Sequence, residues 1–165
     1  MVYLSLGSNL GAREENLRVA IAKLAGLGKL VAVSSFYETE PMEFREQPWF
    51  LNGAVAMKTE LMPKQFLSRM LKIEREMGRR RTMPKGPRTI DIDLLLFGNS
   101  VIHTPQLDVP HPAMHLRRFV LEPLAEIAPE VRHPILKLTA RELRESLPRN
   151  SGQVKKLGKR NSCSG

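Results

Sequence analysis

The stretch RTIDIDLLLF, residues 88–97, has the β-branched content and the alternation of a strand that is buried on one face. Side chains along a strand point alternately to its two faces, so Asp91 and Asp93 share one face, with Cα atoms about 7 Å apart. The side chains that point to the opposite face are Ile90, Ile92 and Leu94. A strand over residues 89–97 is therefore predicted to hold an apolar face in the core and two carboxylates on the other.

The elements before this strand alternate between strand and helix patterns. Short β-rich runs predict strands at residues 2–6, 30–37 and 50–57. Apolar residues at helical spacing predict one helix over about residues 12–25 and a second that begins at Pro63 and ends at Gly78. With the strand at 89–97, the order is βαββαβ, which predicts an α+β fold with a ferredoxin-like core.

The segment after the core predicts a hairpin and a helical extension. The hairpin pairs residues 101–102 with 107–109. One helix is predicted around residues 119–127. A second starts at Thr139 with a capping box and stops at Pro148.

Length and charge limit the class of protein. The chain has 165 residues, a net charge of +9 and a single cysteine. Residues 1–148 are predicted to form one domain. Residues 149–165, rich in Gly, Ser, Lys and Asn, are predicted to be a disordered basic tail whose removal leaves stability unchanged. The charge favours a polyanionic partner, and the lone cysteine fits the cytoplasm. No apolar run is long enough to cross a membrane, and the N-terminal residues predict no signal peptide.

The two aspartates are the sharpest chemical signal. Neighbouring carboxylates on one strand face repel each other, and hard oxygen ligands at this spacing suit one or two Mg²⁺ ions that hold a nucleotide's phosphates. The alternative is a solvated strand face with two ordinary acids. A basic loop before the strand favours the metal interpretation, because it supplies cations for phosphate. Its positive residues are Arg79, Arg80, Arg81, Lys85 and Arg88.

Four further residues are candidates for binding. Glu74 lies at the border of the apolar stripe of its helix, and the alternative is an ordinary surface glutamate. Phe50 and Asn52 share a strand face that can stack on and hydrogen-bond a flat heterocycle, and the alternative is core packing. His111, between two prolines, can bind phosphate or metal, and the alternative is a rigid surface loop.

Five motifs in order give a resemblance to a known family. They are YLSLGSNLG, SSFYETEP, QPWFLNGAVA, GPRTIDIDLLLFG and VPHPAMHLRRFVLEPLAEIAPE. Over residues 1–148 the chain resembles the bacterial 6-hydroxymethyl-7,8-dihydropterin pyrophosphokinases of folate biosynthesis. The resemblance implies that ATP gives its β,γ-diphosphate to the pterin hydroxymethyl oxygen and releases AMP.

The resemblance also implies roles for individual residues. Two Mg²⁺ ions are expected on Asp91 and Asp93. Arginines and a histidine are expected to hold the phosphates: Arg79, Arg81, Arg88, His111 and Arg117. The expected pterin pocket consists of Thr39, Pro41, Met42, Phe50, Asn52 and Phe119. Glu74 is expected beside the adenine. The expected catalytic set consists of Arg79, Arg81, Arg88, Asp91 and Asp93.

The chain departs from some relatives at two positions. Lys85 stands where some relatives have an aromatic residue, and Phe50 stands where some have tyrosine.

The expected partners are ATP and the pterin, with no nucleic acid and no membrane, and a monomer is expected. Two other hypotheses are a nucleotidyltransferase that uses Gly7-Ser8, otherwise interpreted as a turn, and an RNA-binding domain. The long spacing to the aspartates argues against the first, and the 5% aromatic content against the second.

Overall fold

The computed structural model describes residues 1–40, 49–78, 89–149 and 154–157, and it contains both helices and strands. The elements in chain order are β1 (Val2–Ser8), α1 (Arg13–Leu24), β2 (Lys29–Val33), β3 (Tyr37–Thr39), β4 (Phe50–Lys58), α2 (Pro63–Glu76), β5 (Asp91–Phe97), β6 (Ile102–His103), β7 (Asp108–Val109), α3 (Arg118–Ile127), α4 (Ala140–Glu145) and β8 (Val154–Lys156).

Six strands form one antiparallel sheet. Its order is β5-β1-β4-β3-β8, and β2 pairs with the second half of β4. β6 and β7 form a separate two-stranded sheet. The predicted α+β class, with an antiparallel sheet, is confirmed. Among the described helices, none combines the length and the apolar character needed to span a bilayer.

Each face of the main sheet carries its own apolar layer. α1 and α2 pack on one face, where side chains such as Leu17 and Phe66 meet the buried Ile92 and Leu94 of β5. The prediction that this face of β5 lies in the core is therefore correct. α3 packs on the other face, where Leu124 belongs to the same cluster as Ala54, Leu95 and Leu96. β5 is thus covered on both sides along its second half.

The predicted strand 30–37 is divided in two. β2 ends at Val33, and β3 begins at Tyr37. Between them, the backbone N–H and the hydroxyl of Ser35 donate to the Glu126 carboxylate, and the hydroxyl of Tyr37 donates to the same group over 2.7 Å. Because Glu126 belongs to α3, this is a long-range contact that a local pattern does not contain.

The prediction of a disordered tail is wrong for residues 154–157. β8 pairs antiparallel with β3, with Val154 opposite Thr39 and Lys156 opposite Tyr37. The backbone N–H of Leu157 then donates to the carbonyl of Phe36 over 2.9 Å, and the Leu157 side chain packs against the core. The open edge of β3 and one apolar anchor order a segment whose composition is typical of disorder.

Candidate functional site

One row of residues across strands β4, β1 and β5 connects Asn52 with Asp91. The register pairs Gly7 of β1 with Asn52 of β4 on one side and with Asp91 of β5 on the other. Partners in such a row point to the same face of the sheet. Asp91 and Asn52 therefore share a face, about 10 Å apart by strand spacing. Asp93 lies on the same face in the next row, opposite Ser5.

Gly7 is the centre of this row, and sequence analysis missed its role. A Cβ added at Gly7 would lie 2.6 Å from Nδ2 of Asn52 and 3.4 Å from the Phe50 ring. Any side chain here would displace Asn52, so the glycine leaves the space in which the Asn52 amide lies. The sequence carried the signal as the first glycine of GSNLG, but the turn interpretation assigned it to a loop.

The β3–β4 side of the row is neutral and internally hydrogen-bonded. The hydroxyl of Thr39 donates to Oδ1 of Asn52 over 2.5 Å, and Nδ2 of Asn52 donates to the Leu6 carbonyl over 3.2 Å. These two bonds fix which way the amide points. Thr39 and Asn52 are buried, and Phe50 is half-buried on the same face. We call Thr39, Phe50 and Asn52 the neutral platform.

The β5 side of the row opens into an acidic cleft of about 290 Å³. The predicted residues Asp91, Asp93, Glu74 and His111 all line it. Both aspartates are half-buried. The cleft residues that sequence analysis did not single out as binding residues are Leu67, Met70, Leu71, Ile92, Leu94, Gln106, Leu107, Asp108 and Pro112. The signal for the α2 members was the apolar stripe of their helix, with Glu74 at its border. Residues 107 and 108 were predicted only as part of a hairpin, and Gln106 carried no signal.

Glu74 is a buried residue, with 4% of its surface exposed. Its Oε2 accepts a hydrogen bond from the backbone N–H of Ile92 over 2.6 Å. A carboxylate that accepts a backbone N–H is held by a strong, charge-assisted bond. Glu74 therefore attaches α2 to β5 between the two aspartates, and the alternative of an ordinary surface glutamate is wrong.

His111 is held between β5 and the loop before α3. Its backbone N–H donates to the Leu95 carbonyl, and its Nδ1 accepts the N–H of Ala113 over 3.1 Å. Burial, and then the charge of Arg117, lower the pKa of His111, while Asp91 and Asp108 act in the opposite direction. His111 is therefore neutral at pH 7, and because Nδ1 accepts, Nε2 carries the proton.

Arg117 and Phe119 lie at the start of α3. Arg117 is the N-terminal flanking residue of the helix, and its guanidinium carbon lies 5.5 Å from the centre of the Phe119 ring. This is a cation–π distance. Arg117 and Phe119 therefore place a positive charge next to an aromatic ring, and the same charge is close enough to lower the pKa of His111.

The donor set of the cleft fits Mg²⁺ together with phosphate. Among the residues that the structure describes, no group of three or more His, Cys, Asp or Glu side chains is arranged to hold a metal. Mg²⁺ is commonly bound by one or two carboxylates plus substrate phosphates, without an all-protein cage. Asp91 and Asp93 on one strand face match that mode.

Five of the predicted site residues lie outside the described part of the chain. They are Pro41, Met42, Arg79, Arg81 and Arg88. Within the described part, the structure brings Asp91, Asp93, Glu74 and His111 to the cleft, and it joins Thr39 to Asn52.

Comparison with known proteins identifies relatives of this chain. The family model of 7,8-dihydro-6-hydroxymethylpterin-pyrophosphokinase matches residues 3–129. The 2-amino-4-hydroxy-6-hydroxymethyldihydropteridine pyrophosphokinase of Bacillus subtilis is 49% identical over 133 residues, which cover 79% of this chain and 80% of that protein. The protein of the same name from Aquifex aeolicus is 42% identical over 150 residues, which cover 91% of this chain and 92% of the relative.

Solved structures show the same fold. Wild-type HPPK-DHPS of Plasmodium falciparum with pteroate aligns with a TM-score of 0.71 and 19% identity, over 87% of this chain. The match covers 41% of that longer protein. An HPPK-DHPS in complex with substrates aligns with a TM-score of 0.67 and 17% identity, over 88% of this chain and 43% of the other. At such low identity the likeness concerns the fold alone.

Proposed function

Because the chain belongs to the 7,8-dihydro-6-hydroxymethylpterin-pyrophosphokinase family, we propose that it makes the diphosphate ester of 6-hydroxymethyl-7,8-dihydropterin for folate biosynthesis. The hydroxymethyl oxygen of the pterin attacks the β-phosphorus of ATP. The bond from that phosphorus to the oxygen bridging the α- and β-phosphates breaks, AMP leaves with the oxygen, and the hydroxyl proton is released.

The observation that carries the proposal is the row through Gly7. It sets a neutral platform for a flat heterocycle beside two carboxylates suited to Mg²⁺ and phosphate, on one face of one sheet. The estimated 10 Å between Asp91 and Asn52 leaves room for a bicyclic ring on one side and a phosphate chain on the other. Transfer of a phosphoryl-type group depends chiefly on such positioning and on charge neutralisation.

Each side of the row has its own task in the proposal. Asp91 and Asp93 would hold two Mg²⁺ ions, which supply positive charge to the triphosphate when bound. Asn52, oriented by Thr39, would hydrogen-bond the edge of the pterin, and Phe50 would stack on its face. Phe119 would contribute a second aromatic surface from α3.

Phosphate binding is assigned to cations and to one neutral donor. Neutral His111 would donate from Nε2 to a phosphate oxygen, and Arg117 would contribute charge from the end of α3. The family resemblance supports the same role for Arg79, Arg81 and Arg88. Glu74 would act near the adenine while it holds Ile92 in place.

Several finer expectations form part of the proposal. The strand order, in which β1 lies between β5 and β4, supports a ferredoxin-like core. We further propose that residues 1–148 form one catalytic domain, that ATP is the donor, and that the protein acts as a monomer in the cytoplasm. The lone cysteine supports the last point.

The test is a product assay with the full-length chain. Protein is incubated with ATP, Mg²⁺ and 6-hydroxymethyl-7,8-dihydropterin, and nucleotides are separated by ion-exchange chromatography. We expect AMP in a one-to-one ratio with pterin diphosphate, and no AMP when the pterin is omitted. Formation of ADP with a pterin monophosphate, or no pterin-dependent product at all, would overturn the proposal.

A further inference from the structure

Arg13, at the start of α1, bridges two strands that are distant in sequence. Its Nη2 donates to Oε2 of Glu38 on β3 over 2.9 Å. Its Nη1 donates to the backbone carbonyl of Trp49, directly before β4, over 3.0 Å. One guanidinium therefore holds a side chain from one strand and a main-chain oxygen next to the other.

The two acceptors flank the neutral platform. Glu38 precedes Thr39, and Trp49 precedes Phe50. Thr39 and Phe50 form the last of the three register pairs between β3 and β4, so Arg13 acts at the end of the ladder. Thr39 also pairs with Val154 of β8 on its other side, but the β3–β4 ladder that joins Thr39 to Phe50 has only three residue pairs, and short terminal pairs open easily.

The contact needs the geometry of arginine. A guanidinium presents several N–H donors in a fixed plane and can bind two acceptors at once, whereas a lysine ammonium is a point charge on a flexible stem. The side chains of Arg13 and Glu38 are 29% and 32% exposed, so the pair is partly shielded from solvent. The Trp49 carbonyl is a second acceptor, and a point charge paired with Glu38 does not replace that hydrogen bond.

We propose that Arg13 is a positioning residue for pterin binding, which acts by holding Thr39 and Phe50 in register. The inference rests on the proposed function, since it takes the neutral platform as the pterin site. Arg13 makes its contacts through the neighbours of the platform residues and is not assigned a contact with substrate. Nothing in the motifs used for sequence analysis pointed to it.

The sheet predicts which substrate is affected. Glu38 and Trp49 lie at β3 and β4, while the acidic cleft lies at β5, on the other side of β1. Loss of the Arg13 contacts should therefore weaken binding of the pterin and leave binding of ATP nearly unchanged. A general loss of stability would instead affect both substrates.

The test compares Arg13→Gln with Arg13→Lys and with Arg18→Gln. Arg18 lies on the same helix and pairs only with Glu14 one turn away among the contacts described, with its side chain 43% exposed, so it is the matched control. KM for each substrate is measured with the other saturating, together with kcat and Tm. For Arg13→Gln we expect the pterin KM to rise about five- to tenfold, as for the loss of one or two hydrogen bonds.

The remaining results complete the prediction. ATP KM should change less than about twofold, Arg13→Lys should recover part of the pterin affinity, and Arg18→Gln should behave as wild type. An unchanged pterin KM in Arg13→Gln, or equal rises in both KM values, would overturn the inference. Both outcomes presuppose an active wild-type enzyme, so they are distinct from failure of the proposed function, which would appear as an inactive wild type.

Discussion

The two sides of the Gly7 row are built on opposite principles. On the β3–β4 side, Thr39 and Asn52 are buried, neutral and bonded to each other and to a main-chain carbonyl. On the β5 side, Asp91 and Asp93 are half-buried carboxylates on one strand face. The first side is ordered by its own hydrogen bonds. The second gathers negative charge, whose mutual repulsion a bound cation would relieve.

Under the proposed function, this difference separates recognition of the pterin from the handling of phosphate charge. A buried amide with a fixed orientation discriminates between ligands, because a ligand lacking the matching donor or acceptor leaves a buried polar group unpaired. Paired carboxylates discriminate little but attract divalent cations. Gly7 lies between the two sides and has no side chain that would fill the space in which the Asn52 amide lies. Changes on the two sides should consequently have different kinetic effects.

The largest expected effect comes from the acidic side. In Asp91→Asn or Asp93→Asn, the amide keeps the shape but loses the charge that suits Mg²⁺. Metal stabilisation of a developing charge is worth several kcal/mol, so kcat should fall on the order of a hundredfold or more. Thermal unfolding should stay within a few degrees of wild type, since neither side chain fills the core.

The control for these variants is Glu130→Gln, which removes a carboxylate whose described partner is Arg141 on the surface. Its turnover should match wild type. Turnover near the wild-type rate in either aspartate variant would remove the basis for assigning charge handling to β5.

A smaller effect is expected at the boundary between the two sides. Gly7→Ala places a Cβ 2.6 Å from Nδ2 of Asn52, so the amide must move and its bond to the Leu6 carbonyl is strained. Overpacking of this kind costs about 1–3 kcal/mol, so the pterin KM should rise by roughly fivefold or more. Steady-state kinetics with saturating ATP measures it.

Gly26→Ala is the matched control, because a Cβ at Gly26 meets nothing within 4 Å. It should leave both KM values as they are. If Gly7→Ala also bound pterin normally, the close approach of Gly7 and Asn52 would have no part in recognition.

A third prediction concerns the strand that borders the platform side. Deletion of residues 151–165 removes the β8 pairing with β3 and the core contact of Leu157. Complete burial of one aliphatic side chain contributes about 1.5–3 kcal/mol, and Leu157 is partly buried, so its loss together with the β8 pairing should lower Tm by a few degrees. Deletion of residues 158–165, which keeps β8, is the control and should not change Tm. Equal melting temperatures for the two deletions would restore the sequence-based expectation of a dispensable tail.

The contrast between β5 and β8 explains what the sequence reveals about this fold. The strand, its buried face and the shared side of Asp91 and Asp93 all follow from alternation within seven residues. β8 has no such pattern, because three pairs on the edge of β3 and one leucine hold it. Composition averaged over the tail therefore predicted disorder where a long-range contact decides the structure.

The same distinction applies to the candidate site. Asp91, Asp93 and the Phe50–Asn52 pair were found from local spacing. Gly7, in contrast, acts through residues 43 to 84 positions away in the chain, and Arg13 through residues 25 and 36 positions away. The roles of both depend on the register between strands and on the direction of α1. Local sequence patterns do not specify either of these. Glu74 is intermediate. Its position at the border of the apolar stripe of its helix follows from the sequence, but its bond to the Ile92 N–H depends on how α2 packs on β5.

The smallest effect is expected far from the row, and it separates stability from catalysis. His133 is buried, and its Nδ1 accepts the backbone N–H groups of Ile135 and Leu136 over 3.2 and 3.0 Å. A proton on Nδ1 would break both bonds. Burial, and then the neighbouring His115, lower the pKa of His133 below its ordinary value of 6.5.

The sign of the pH effect follows from this shift. Since the folded pKa lies below the unfolded one, the unfolded chain takes up the proton first as pH falls below about 6.5, and the free energy of unfolding decreases. Urea unfolding at about pH 7.5 and 5.5 should show that loss in wild type and a smaller one in His133→Asn, whose amide oxygen can accept the same bonds. Between about pH 7.5 and 8.5 the two proteins should show no difference in slope, because His133 is neutral there in both the folded and the unfolded chain. An equal loss at acid pH in both would mean that His133 does not cause the dependence. If the ATP and pterin KM values of His133→Asn at pH 7.5 equal those of wild type, the acid sensitivity belongs to folding and to neither side of the row.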